Sequence, residues 1–136
     1  MKYVICGSMS AAKEMLIIKS FLEARGNEVV VPYNVEKYAS GEWQNTNQES
    51  TEQKIVGDLI RGYFEEIINA DAVVIANYDK HGIKNYIGGN SFLEAGFAHV
   101  LDKPLYFVNA IPELSYQDEL IAMQPIMLNG DLNNIR

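Results

Sequence analysis

Glu94 is the only formally charged residue in residues 85–100, NYIGGNSFLEAGFAHV, where it sits among Phe92, Leu93, Ala95, Phe97, Ala98 and Val100. A helix of that composition is expected to be covered on nearly every side. Its carboxylate should then be partly desolvated, and an unpaired carboxylate out of water is costly enough to need a partner or a task. The chemistry open to it is nucleophilic attack or proton transfer. Gly88 and Gly89 precede it and let the backbone approach a ligand closely. A structural reading competes with this one. Ser91 and Glu94 have the spacing of a capping box, in which the glutamate bonds back to the N-cap amide.

Chemistry at Glu94 calls for a second polar group. Asp79 is expected just past the carboxyl end of a central strand, and Asp58 on the helix before that strand. Asp71 falls at the opposite end of the strand and reads as a turn residue. Tyr63, Tyr78 and Tyr86 could supply phenols, and Tyr86 is the one nearest the glycines. The segment GSMS, residues 7–10, joins a strand to a helix. Gly7 with the Ser8 and Ser10 hydroxyls makes either an anion site or a capped turn needing no ligand. It is neither a dinucleotide fingerprint nor a P-loop. His81 and His99 lack cysteine or histidine partners at ligand spacing, so no metal site is expected. His99 is expected to pack against its neighbours. No serine stands in a nucleophile-elbow sequence.

The elements that must position these groups are legible as periodicity. YVIC, residues 3–6, is a short apolar run suited to a buried strand. Residues 11–25 place Met15, Ile18 and Leu22 on one helical stripe, with Ser10 as N-cap and Gly26 as the C′ residue. Residues 28–32 form the next strand, so the chain begins as a strand–helix–strand crossover. Residues 34–53 are polar and aperiodic, either a surface loop or a lid. Residues 54–69 are helical with Ile55, Leu59, Tyr63 and Ile67 aligned, and 71–77 form a β-branched central strand. A helix over 91–101, a strand over 104–109, and a helix over 116–123 capped by Ser115 follow. Residues 125–129 add an edge strand. The expected fold is a doubly wound, flavodoxin- or Rossmann-like α/β domain with a five-stranded, mostly parallel sheet between helices. Such sheets bind ligands at the carboxyl ends of their strands, where Gly7–Ser10, residues 77–90 (with Asn77 and Asn90) and the loop after Val108 should meet.

Composition narrows the partners. The chain of 136 residues carries 18 acidic and 11 basic residues, a formal charge of −7. It has no basic cluster, so a nucleic-acid polymer is not an expected partner. One cysteine, Cys6, excludes a disulfide framework and a thiolate zinc site. The apolar run at the start is too short for a signal peptide and no window suits a membrane span, so a cytoplasmic location is expected.

ADAVVIAN, then a glycine loop, then FLEAGFAHVLDKPLYFVN resembles the nucleoside 2-deoxyribosyltransferase superfamily, which includes 2′-deoxynucleoside 5′-monophosphate N-glycosidases. The resemblance follows the order of elements over the whole chain and is specific around Glu94-Ala95-Gly96 and Lys103-Pro104. ICGSMS is similar to the opening loop of the nucleotide-cleaving branch. The resemblance implies that Glu94 attacks the anomeric carbon of a nucleoside or nucleotide, forming a glycosyl ester that water or a second base resolves. Asp79 and Tyr86 would assist. Gly7, Ser8, Ser10, Asn77, Gly88, Gly89, Asn90, Asp58 and Tyr63 would contact the substrate, without a cofactor. It also implies a homodimer or larger homo-oligomer with shared sites, bringing in the region of Met127 and Asn129. Relatives commonly carry a tyrosine late in the first strand and an aspartate on the helix before the central strand. Val4, Ile5 and Tyr63 stand at those places here.

Overall fold

The computed structural model describes residues 1–43 and 58–136. Five strands, β1 (Lys2–Gly7), β2 (Glu28–Val30), β3 (Ala72–Ala76), β4 (Leu105–Phe107) and β5 (Ile126–Met127), form one sheet in the order β2-β1-β3-β4-β5. Every neighbouring pair is parallel. The order reverses between β1 and β3, the topological switch point where doubly wound sheets open a crevice. β1 and β3 are fully paired from Tyr3–Ala72 to Gly7–Ala76. β2 stops at Val30, opposite Val4, so the carboxyl end of β1 projects beyond it.

Alternation along β1 sends Tyr3 and Ile5 to one face and Val4 and Cys6 to the other. The first face is covered by α1 (Ala12–Glu23) through Met15, Ile18 and Leu22, together with the short α2 (Val35–Ala39) and the C-terminal Leu132 and Ile135. Helix α1 ends as the periodicity predicts. Gly26, at φ 83°, donates to the Glu23 carbonyl at 2.9 Å, and Asn27 to that of Leu22 at 3.2 Å. The second face is covered by α3 (Leu59–Ile68), α4 (Gly89–Val100) and α5 (Gln117–Ala122), through Ile67, Ala95, Ala98 and Leu120. Of the expected helix over 54–69, Ile55 and its neighbours lie outside the described residues, as do residues 44–53 of the polar stretch 34–53. No helix among the described residues is long and apolar enough to cross a membrane.

Five local expectations are corrected. Helix α4 starts at Gly89, not Ser91: the extended Gly88 presents its carbonyl to Phe92 N–H at 2.9 Å. Glu94 therefore lies in the second turn, too far along for a capping box. The same helix is not covered all round. Its sheet-facing residues are the small Ser91, Ala95 and Ala98, which leaves Leu93 44% and Val100 82% exposed. His99, expected to pack, points to solvent. Ser10 does not cap α1; Ser8 instead caps a 3-10 turn over Met9–Ala11. Nor does Ser115 cap α5, whose start is set by Tyr116. The Tyr116 ring stacks on Phe92 at 4.5 Å and its hydroxyl donates to the Ile87 carbonyl, an anchor stronger than one serine hydroxyl.

Candidate functional site

A cleft of about 660 Å³ opens at the switch point, within the size range of small-molecule sites. Its floor is Gly7, Ser8 and Met9 after β1. Val30 to Tyr33 after β2 form one wall, α3 another, and Lys80, His81, Tyr86 and the start of α4 close the far side. Gly7 is needed there for packing: a Cβ would sit 3.1 Å from both the Ala76 carbonyl oxygen and Met15 Sδ.

Glu94 is half-buried in the cleft wall. It faces Cys6, which the alternation of β1 turns toward α4, and the Cys6 thiol is hydrogen-bonded to its carboxylate. Burial first, and then the Glu94 charge, hold that thiol well above its ordinary range. Tyr63 completes the group from α3. Its phenol donates to the Ile5 carbonyl, on the stretch of β1 that β2 does not reach. Burial, followed by the nearness of Cys6, Glu94 and Glu66, pushes its pKa well up, so the phenol stays a neutral donor. Glu66 also lines the cleft, with its carboxylate 3.2 Å from Lys2 Nζ.

The loop after β3 is ordered by its own hydrogen bonds. Lys80 and Ile83 exchange backbone bonds of 3.1 and 2.9 Å across His81 and Gly82, both with positive φ (55° and 73°), the signature of a primed hairpin turn. His81 packs edge-on against Tyr86 at 5.4 Å. The Tyr86 ring lies over Gly88, where a Cβ would come within 3.1 Å of Cε2. Gly88 thus serves the position of Tyr86 more than a turn.

The cleft brings together Glu94, Tyr86, Gly7, Ser8, Gly88, Gly89, Asn90 and Tyr63 among the residues expected to act. Several others lie elsewhere. Asp79 is exposed and accepts the Asn85 N–H at 2.9 Å, holding its own loop. Asp58 is exposed at the start of α3, 3.3 Å from Arg61. Asn77 is buried and spent on structure: its amide donates to the carbonyls of Asn109 and Ala110 at 2.9 and 3.1 Å and accepts Asn109 N–H at 2.9 Å. This clasp joins β3 to β4. Ser10 is exposed but donates to Ser8 Oγ at 3.1 Å. Met127 and Asn129 belong to the β5 end and do not line the cleft of one chain. Asp71 accepts the Lys2 N–H at 2.7 Å, the turn role its position suggested.

Sequence reasoning passed over Cys6, Lys80 and Glu66. The His81-Gly82 pair was a readable turn signal that could have directed attention to Lys80. Cys6 offered none, because which face of β1 meets α4 is a tertiary matter. Among the described residues no three His, Cys, Asp or Glu side chains gather as metal ligands.

The fold and the site define a doubly wound α/β protein with a carboxylate-bearing cleft at its switch point. No family model matches the chain, and no curated protein or solved structure matches it either.

Proposed function

We propose that this chain cleaves the N-glycosidic bond of a small nucleoside or nucleoside 5′-monophosphate, by hydrolysis or deoxyribosyl transfer, with Glu94 as nucleophile. The observation that carries this reading is the setting of Glu94. It is half-buried in a cleft, bonded to a thiol that burial keeps protonated, and within electrostatic reach of a neutral phenol. A carboxylate so held gains stabilising value as positive charge develops on a sugar ring. A Glu94 oxygen attacks the anomeric carbon while the bond to the base breaks, its electron pair leaving on the base. Tyr86 supplies the proton the base takes up. Water or an acceptor base then attacks the same carbon, frees the carboxylate and returns a proton to Tyr86. No cofactor enters these steps.

A homo-oligomer belongs to the same proposal. Ile60, Phe64 and Ile68 recur at four-residue spacing on α3, and Leu93, Phe97 and Val100 lie along α4. The Phe64 and Phe97 rings meet at 4.9 Å and join the two stripes into one apolar face beside the cleft mouth. A second copy seated there would bury it and add residues to the open side of the site.

A rival reading is a non-catalytic sensor of a nucleotide-like ligand in the same cleft. It is favoured by the outward placement of Asp58 and Asp79, the aspartates expected near the substrate. Incubation with nucleosides and 5′-monophosphates, with and without acceptor bases, decides between the two when free base is followed by chromatography. Base release that disappears in Glu94→Gln is the expected result. Ligand-induced thermal stabilisation without turnover supports the sensor, and base release that persists in Glu94→Gln removes Glu94 from the nucleophile's role.

A further inference from the structure

Gly62 and Gly89 stand apart from the other described glycines. Four of those take positive φ, and a Cβ built on Gly7, Gly88 or Gly96 meets a neighbour within 4 Å. At Gly62 and Gly89 the backbone is not left-handed, and a Cβ meets nothing within 4 Å among the described residues. Both line the cleft. Neither conformation nor packing against a described residue accounts for their missing side chains.

Gly62 is the costlier of the two. It is the fourth residue of α3, and its N–H donates to the Asp58 carbonyl at 2.9 Å, an ordinary helical turn. Glycine inside a helix is destabilising relative to alanine, because it loses more backbone freedom on folding. Gly89 is the first residue of α4, outside a helix interior. Leu59, Gly62, Tyr63 and Glu66 recur at three- and four-residue spacing along α3, and all line the cleft. Gly62 is therefore a notch in a filled stripe, where bare peptide backbone faces the cleft. On the wall formed after β2, Tyr33 is 68% exposed. A methyl-free stretch of backbone and an open phenol ring suit a flat aromatic ligand.

The position of Glu94 decides which part of a ligand reaches that notch. The sugar must meet Glu94 on α4, so it occupies the α4 side for every candidate. The base extends across to α3. A single ring fits a cleft of about 660 Å³ with a methyl present at position 62. The wider, two-ring base is the one for which the clearance matters. We propose that Gly62 is a specificity-determining residue of the cleft, its bare backbone giving the clearance that admits a two-ring, purine-sized base. The inference rests on the glycosidic-cleavage reading for the ligand's identity, and it names the class of base that such a substrate carries.

The test reads binding and stability side by side, so it does not depend on turnover. Glu94→Gln protein is titrated calorimetrically with the 2′-deoxynucleosides of adenine, guanine, cytosine and thymine, and with their 5′-monophosphates. Affinities are compared at a matched 5′ group. Gly62→Ala on the same background should raise the melting temperature by about 3 °C, the gain of alanine over glycine inside a helix. It should weaken the purine members about ten- to a hundredfold, the scale of one overpacked methyl, and leave the pyrimidine members unchanged. A merely structural glycine would move stability and leave that ratio alone. Purine and pyrimidine affinities that fall together, or that both hold, overturn the slot. So does a lower melting temperature in Gly62→Ala, which places another part of the chain against the glycine. Base release that Gly62→Ala leaves equal for both classes of base sustains the cleavage reading and overturns the slot. Gly62-dependent purine binding by a chain that releases no base sustains the slot and sinks the cleavage reading instead.

Discussion

Replacing Tyr63 by Phe removes one hydroxyl and little else, which makes it a clean probe of how α3 is tied to the site. The phenol donates to the Ile5 carbonyl on the part of β1 left uncovered where β2 stops at Val30. Phe cannot donate, and a buried carbonyl left without its partner costs about 1–3 kcal/mol. For a domain of this size, 1 kcal/mol moves the melting temperature by roughly 3–4 °C, so a fall of about 3–12 °C is expected. The pH dependence supplies a second signature. Burial and nearby negative charge raise the folded phenol's pKa, so its contribution is fully present below the unfolded value of about 10. Above that pH the unfolded chain deprotonates first and the contribution falls by about 1.4 kcal/mol per pH unit until the folded phenol titrates. The gap between wild type and Tyr63→Phe should therefore be constant from neutral pH to about 9 and narrow above 10. The other tyrosines and Cys6 are common to both proteins and cancel in the difference. Calorimetric melts across that range measure it. A Tyr63→Phe variant that melts with the wild type, or a gap that stays flat through alkaline pH, refutes the Tyr63–Ile5 bond as a structural tie.

Two further outcomes follow from the cleft and its rim. Gly88→Ala keeps an ordinary backbone, since φ is −81°, but pushes its methyl to 3.1 Å from Tyr86 Cε2. The ring should shift and base release fall roughly tenfold with little change in melting temperature; unchanged turnover removes Tyr86 from the chemistry. Val100→Lys places a charge on the most exposed apolar residue of the α3–α4 face, 82% accessible. For the homo-oligomer proposed above, light scattering should show this variant shifted toward monomer at micromolar concentration relative to the unsubstituted chain, with an unaltered melting profile for the monomer itself. An assembly that is unmoved places the interface on another surface.

Much of the architecture was legible because burial writes itself into period. VVIA in β3 and the Met15, Ile18 and Leu22 stripe of α1 admit few alternatives, and their alternation forces a parallel, doubly wound sheet. Glu94 was legible for the same reason: one carboxylate among apolar and small residues stands out without any structure. The end of α1 at Gly26 was equally clear, since few other residues accept its φ.

The partners of that carboxylate were not legible. Asp79 and Asp58 had the right order along the chain, yet both turn outward, one to hold its own loop and the other to meet Arg61. Asn77 was spent on joining two strands. Helix α4 starts at Gly89, where the extended Gly88 presents its carbonyl to Phe92 N–H, and that start removed the capping-box reading of Glu94. Cys6 and Lys80 became neighbours of the site only through facing and register, as β1 turned one alternate residue toward α4 and a two-residue turn carried a lysine back to Ser8. The chain by itself determined which segments are buried and where its odd charge lies, because those depend on local composition. Only the tertiary structure decided what surrounds that charge, because contacts between residues some 70 to 90 positions apart, such as Lys80 with Ser8 and Cys6 with Glu94, are set by how strands pair and helices cross.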